Sequence, residues 1–198
     1  MIKEIKEYAL VNDVPIFEEE TRDFIIDLIK NEEVSNILEI GSAIGYSAIC
    51  MASVNNDIKI TTIERDRERF DIACDNISNM DLDKQISIYC EDALEFDETQ
   101  LKKEYDLIFI DAAKAQYQKF FEKYAPYLKK DGLVIIDNVD FHGFVNGDRI
   151  TTNRNTRQLV GKIKRFLEYI ENNNQYTNEY FKIGDGIIVC KRNDVNEK

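Results

Sequence analysis

Five short runs rich in isoleucine and valine are separated by longer amphipathic segments: "NILEI" (36–40), "IKITTI" (58–63), "ISIY" (86–89), "YDLIFID" (105–111) and "LVIID" (133–137). Most of these runs set apolar residues side by side rather than alternating them, so both sides of each strand seek cover. Helices on both faces of a mostly parallel sheet provide it. Before the first run, Ile2, Ile5, Tyr8 and Ala9, then Phe24, Ile25, Leu28 and Ile29 within 18–30, recur at helical spacing. Two helices joined by "NDVPIF" are therefore expected. After the last run, "NEYFKI" and "GIIVCK" flank Gly184-Asp185-Gly186, the signature of a hairpin that adds an antiparallel edge. No repeat or Pro/Gly-rich linker interrupts the 198 residues, so one α/β domain over 1–198 is expected.

Lys+Arg 26 against Asp+Glu 38 gives a net charge of −12, a field that on average repels nucleic acid and anionic membrane unless a local basic patch overrides it. Cys50, Cys74, Cys90 and Cys190 form no C-x-x-C pair and no cluster with histidine, which excludes a zinc-finger spacing and favours reduced thiols. "MIKEIKEYALV" is charged throughout, unlike a signal peptide, and no window is apolar enough to cross a membrane. A soluble, cytoplasmic protein without a membrane partner is the expectation.

Ligands of open α/β sheets bind beyond the carboxyl ends of the strands, and here those ends are acidic. The first carries Glu39, Gly41, Gly45, Tyr46 and Ser47; the second ends in Glu64; the third is followed by Asp92-Ala93. Gly41 and Gly45 allow a tight turn and close approach of a ligand. Glu64, 25 residues after Glu39, is placed to hold the two hydroxyls of a ribose. The loop reads G-x-x-x-G and lacks the middle glycine that admits a pyrophosphate, and no P-loop lysine follows. The implied ligand has a nucleoside but no phosphate, and carboxylates at Glu39 and Asp111 suit a positive charge. S-adenosylmethionine meets both demands; a plain strand-to-helix turn is the alternative reading of the glycines.

Asp111 ends the fourth run and Asp137-Asn138 the fifth. Two carboxylates and an amide oxygen are hard ligands that favour Mg²⁺, with Mn²⁺ or Ca²⁺ as alternatives, over zinc. A loop-shaping role for the Asp-Asn pair is the competing reading. Lys114, three residues past Asp111, reaches the same place, where a nearby cation would depress its pKa and allow it to act as general base. His142, the one histidine, is read as lining the loop.

"ILEIGSAIGYSA", "TIERD", "EDALE", "YDLIFIDAAKAQY" and "GLVIIDNVDFHG" resemble the motifs of the cation-dependent S-adenosylmethionine O-methyltransferases, the group that includes catechol and caffeoyl-CoA methyltransferases. Within it the chain is similar to the bacterial tRNA 5-hydroxyuridine methyltransferases. The resemblance implies a Rossmann-like class I methyltransferase fold: seven strands, mostly parallel, with a reversed C-terminal hairpin and helices on both faces. It assigns Asp111, Asp137 and Asn138 to the metal and Lys114, with Asp111, to catalysis. It places Phe17, Ser47, Glu64, Asp92, Ala93 and Asp111 around the methyl donor. Homodimers are common in the group. The N-terminal helices, residues 1–35, are shorter than the family's usual arrangement.

A chelated metal binds two adjacent substrate oxygens, which a catechol supplies and 5-hydroxyuridine supplies equally. The site chemistry leaves both open, and with them a dinucleotide-binding oxidoreductase or a nucleotide-binding module. Residues 148–166 hold Arg149, Arg154, Arg157, Lys162, Lys164 and Arg165 against the single acid Asp148, a net +5. That patch is where phosphates of a tRNA anticodon stem-loop are expected to lie, which favours methylation of wobble 5-hydroxyuridine to 5-methoxyuridine.

Overall fold

The computed structural model describes residues 1–193. They form two compact units, Met1–Lys103 and a second beginning at Glu104. The first unit contains α1 (Ile2–Val11), α2 (Glu19–Asn31), β1 (Asn36–Ile40), α3 (Tyr46–Ala52), β2 (Lys59–Glu64), α4 (Arg67–Asn79) and β3 (Ile86–Cys90). Its strands pair in parallel with β2 in the middle, Ile40 opposite Ile63 and Glu64 opposite Cys90. In β1 every residue after Asn36 is buried, so the strand is covered on both sides as its unbroken apolar run requires. The stripe on α2 is narrower than the sequence spacing implied: Thr21, Ile25 and Ile29, at four-residue steps, are fully covered while Phe24 and Leu28 are half-buried. Complete burial of an isoleucine is worth about 1.5–3 kcal/mol, which offsets the modest propensity of this charged helix. Asp66 caps α4 by accepting from Arg69 N at 3.0 Å.

The second unit contains β4 (Tyr105–Ile110), α5 (Tyr117–Tyr124), β5 (Leu128–Ile136), α6 (Arg154–Glu171), β6 (Tyr176–Phe181) and β7 (Ile187–Arg192). β4 and β5 are parallel, β7 runs antiparallel beside β5, and β6 pairs antiparallel with β7. The hairpin expected from the Gly-Asp-Gly turn is thus present. β5 starts at Leu128, five residues earlier than its apolar run, because the register shifts between Tyr105 and Leu107 and absorbs the polar stretch. Gly132 sits in that irregularity, where a Cβ would lie 2.8 Å from Leu128 Cγ and 3.0 Å from the Asp106 carbonyl oxygen.

Candidate active site

In the first unit the chain leaves β1 through "GSAIG" and enters α3. Gly41 N donates to the Ile63 carbonyl at 2.9 Å, which ties the turn to the end of β2. Gly45 has φ +81°, and a Cβ there would lie 3.3 Å from Ala73 Cβ on α4, so a side chain would have to push two elements apart. Ala43 has φ 46°, a strained conformation for a residue with a Cβ, and its amide donates to Glu64 Oε2 at 2.8 Å. The other oxygen of Glu64 accepts from Asp66 N at 2.8 Å. Glu64 is thereby fixed by two backbone amides at the strand tip, with further lone pairs for a ligand's hydroxyls.

Glu39 lies deeper than the sequence reading had it. It is fully buried beneath the turn, where Ser47 Oγ and Thr62 Oγ1 donate to its two oxygens at 2.5 Å each. Its carboxylate is held by hydroxyl dipoles. Phe17 packs edge-on against Tyr46, with ring centroids 5.5 Å apart and planes at 89°. Asp92 Oδ1 accepts from Leu94 N at 2.9 Å, shaping the turn in which Ala93 is buried. The structure thus gathers Glu39, Gly41, Gly45, Tyr46 and Ser47 around one turn and tethers Glu64 to it. Sequence reasoning missed Ser42, whose hydroxyl is buried with no hydrogen-bond partner among the described residues. An orphan donor in a tight turn, beside a carboxylate at the strand tip, fits a polar ligand such as the methyl donor. Its position between Gly41 and Gly45 was the available signal.

In the second unit, register creates the site. Ile110 lies opposite Ile136, so the residues that follow, Asp111 and Asp137, emerge side by side, and Asp137 N donates to the Ile110 carbonyl at 3.2 Å. Asn138 adopts φ 61°, turning the chain so that its own N–H reaches Asp137 Oδ1 at 2.7 Å and its Nδ2 reaches Asp111 Oδ1 at 3.2 Å. Lys114 opens a short 3-10 turn (Lys114–Gln116) and donates to the Asn138 carbonyl at 3.3 Å. The four residues predicted from sequence, Asp111, Lys114, Asp137 and Asn138, are brought together.

Burial pushes the Asp137 carboxyl up to about 8, and the neighbouring Asp111 adds to the rise. Burial raises Asp111 as well, opposed by Lys114 and by the Asn138 amide. Burial also lowers Lys114, while Asp111, Asp185 and Asp137 pull it back up. Two carboxyls that both resist ionisation, beside an amide, fit a hard divalent cation, whose charge would offset the repulsion and the desolvation together. The described residues contain no group of three His, Cys, Asp or Glu that could hold a metal.

Tyr117 was missed by sequence reasoning; it is buried, and its hydroxyl donates to the Asp137 carbonyl at 2.7 Å. It lies three residues past Lys114 on the next helical turn, which was the readable signal. His142 lies on the loop after Asn138 and is exposed, as expected of a loop-lining residue. Arg149, Arg154, Arg157 and Lys162 are all exposed, as are Lys164 and Arg165. On α6 the arginines stand opposite the buried stripe of Ile163, Phe166 and Ile170. No helix among the described residues is long and apolar enough to cross a membrane.

The family model described as O-methyltransferase matches residues 1–193. A Staphylococcus aureus protein provisionally described as a caffeoyl-CoA O-methyltransferase superposes with a TM-score of 0.92 at 45% identity, covering 97% of this chain and 92% of that one. An O-methyltransferase from Bacillus cereus, solved with S-adenosylhomocysteine, superposes with a TM-score of 0.84 at 26% identity, covering 97% and 90%. The catechol O-methyltransferase of Niastella koreensis is 31% identical over 140 residues, 68% of this chain and 60% of that protein. The fold is accordingly the Rossmann-like α/β fold with a reversed C-terminal hairpin, and the chain belongs to the O-methyltransferase family.

Proposed function

We propose that this O-methyltransferase moves the methyl group of S-adenosylmethionine to the 5-hydroxyl of 5-hydroxyuridine at the tRNA wobble position, giving 5-methoxyuridine. The observation that carries the RNA assignment is the exposed basic segment formed by Arg149 and the first part of α6: a net +5 over residues 148–166 in a chain of −12. A local concentration of cations in an acidic protein attracts a polyanion, and phosphate contacts supply much of the affinity for RNA.

The donor reading rests on the "GSAIG" turn, with the orphan Ser42 hydroxyl and the tethered Glu64 for the ribose. Membership of a family whose B. cereus relative was solved with S-adenosylhomocysteine supports the same donor. Asp111, Asp137 and Asn138 would hold a divalent cation, Mg²⁺ or Mn²⁺. Such an ion lowers the pKa of a chelated hydroxyl and orients it. Lys114, lowered by burial, is the base that takes the hydroxyl proton as the oxygen attacks the methyl carbon and the sulfur leaves in line. Asn138 orients Asp111, and Tyr117 steadies the Asp137 backbone. The enzyme is read as a cytoplasmic homodimer.

A second reading is O-methylation of a catechol, favoured by the N. koreensis relative, because a catechol presents the same pair of adjacent oxygens. The test is to incubate the chain with labelled methyl donor and Mg²⁺ or Mn²⁺, offering either tRNA that contains 5-hydroxyuridine or a catechol panel. Label in the tRNA, lost on charge reversal at Arg154 and Arg157, is the expected result. Label confined to the catechols, or equal loss on both substrates in the variant, would overturn the RNA assignment.

A further inference from the structure

Asp185 stands between Gly184 and Gly186 in the turn from β6 to β7, where sequence reasoning gave it no role beyond turn chemistry. The turn is packed onto the loop that follows Asp137. Val139 N donates to the Gly186 carbonyl at 3.0 Å, and Asp140 N to the Asp185 carbonyl at 2.8 Å. The approach is close enough that a Cβ on Gly186, at φ +83°, would lie 2.9 Å from Asp140 Cγ. Asp185 Oδ1 accepts from His142 N. Its side chain is only 9% exposed, and Oδ2 is buried without a hydrogen-bond partner among the described residues.

A carboxylate oxygen removed from water without a hydrogen bond is costly, and a cation nearby would offset that cost. The nearest cationic candidate outside the site is His142 Nδ1, at 3.6 Å, beyond hydrogen-bond distance and on a side chain 63% exposed. Inside the site the charge of Asp185 acts on Lys114, Asp137 and Tyr117, so the carboxylate is close enough to belong to the same electrostatic group. Lys114 donates instead to the Asn138 carbonyl.

We infer that Asp185 is a positioning residue of the cation site: Oδ1 holds the loop carrying Asp137 and Asn138, and the buried, unpartnered Oδ2 supplies a further negative charge that a divalent cation neutralises. The inference rests on the cation reading given above. It adds a residue from the C-terminal hairpin to a site otherwise built from the ends of β4 and β5, which makes the hairpin part of the machinery.

The experiment uses Mn²⁺ alone, titrated into the full chain without substrate and followed by calorimetry and by the electron paramagnetic resonance of free Mn²⁺. Asp185→Asn keeps an oxygen for the His142 N–H while removing the charge. In chelator it should melt no lower than the parent, since an uncompensated buried charge is gone, while its Mn²⁺ affinity should fall at least about tenfold, as loss of an outer partner commonly does. A structural role alone would lower the melting temperature in chelator together with the affinity. Asp185→Ser, also neutral, should behave in the same way. Mn²⁺ affinity of either neutral variant equal to the parent's would overturn the inference and leave the cation site standing. Failure of both to fold in chelator would overturn it too, because the carboxylate would then serve the fold without the cation. No uptake of Mn²⁺ by the parent would remove the cation reading itself and this inference with it.

Discussion

Asn138, Phe141 and His142 all hold positive φ (61°, 47° and 55°), a concentration of backbone strain in the few residues that follow β5. Such conformations cost about 1–3 kcal/mol each and persist only where surrounding contacts impose them, here the bonds of Asn138 to Asp111 and Asp137 and of His142 to Asp185. Strain of this kind in a loop that carries charged side chains points to chemistry rather than packing. Removing the Lys114 amine should lower kcat by about 10² or more, the usual contribution of a general base, and leave the affinity for the methyl donor unchanged. A calorimetric donor titration beside the rate measurement checks both halves, and an unaltered rate removes the lysine from the mechanism. Asp137→Ala, or added EDTA, should abolish turnover while the fold persists, because a carboxyl pushed up to about 8 contributes no favourable charge to the empty fold. Full activity in chelator would refute the metal assignment. At this scale the sequence displayed Asp111, Lys114, Asp137 and Asn138, since hard ligands at strand ends are legible from residue type. It did not display Ser42, Tyr117 or Asp185, whose significance lies in which partner each has or lacks.

Helix α6 does two jobs with two faces. Inward, Phe166 is buried, with its ring centroid 5.7 Å from Tyr117 and 6.1 Å from Phe121. Tyr117 in turn holds the Asp137 backbone, so the helix that presents the arginines also braces the loop of Asp137 and Asn138. Phe166→Ala should cost about 3–5 kcal/mol, the range for a large aromatic removed from a core. By loosening Tyr117 it should also weaken Mn²⁺ binding; chemical denaturation and the Mn²⁺ titration separate the two effects. The elements themselves were legible, since periodicity identified both N-terminal helices and five strand runs, and the Gly184-Asp185-Gly186 turn identified the C-terminal hairpin. The boundary of β5 was not, because a shift of register between Tyr105 and Leu107 is a cross-strand event that one run of residues does not record.

Across the whole molecule, buried ionisable groups set the response to pH. Cys50 is buried and pushed from 9.0 up to about 11, by burial first of all. Its folded pKa exceeds its unfolded one, so below pH 9 both states are protonated and the group is neutral to stability. Between about 9 and 11 the unfolded chain releases the proton first and stability falls, by at most about 3 kcal/mol for this thiol. Thermal melts across that window should show the loss, and Cys50→Ala should flatten it; an identical slope in the variant would refute the assignment. Cys190, pushed to about 12 by burial, reinforces the trend, and both thiols should label more slowly with a disulfide reagent at pH 8 than the half-buried Cys74 and Cys90. By itself the sequence determined the alternation of strand and helix, the acidic strand ends and the placing of positive charge in one segment, because apolar periodicity and residue chemistry are local properties. The tertiary structure decided that Glu39 lies beneath its turn, that Asp111 and Asp137 emerge side by side, and that the hairpin brings to their loop a buried carboxylate with one oxygen that no hydrogen bond satisfies among the described residues. Register, burial and the presence or absence of a hydrogen-bond partner exist only between segments distant in the chain.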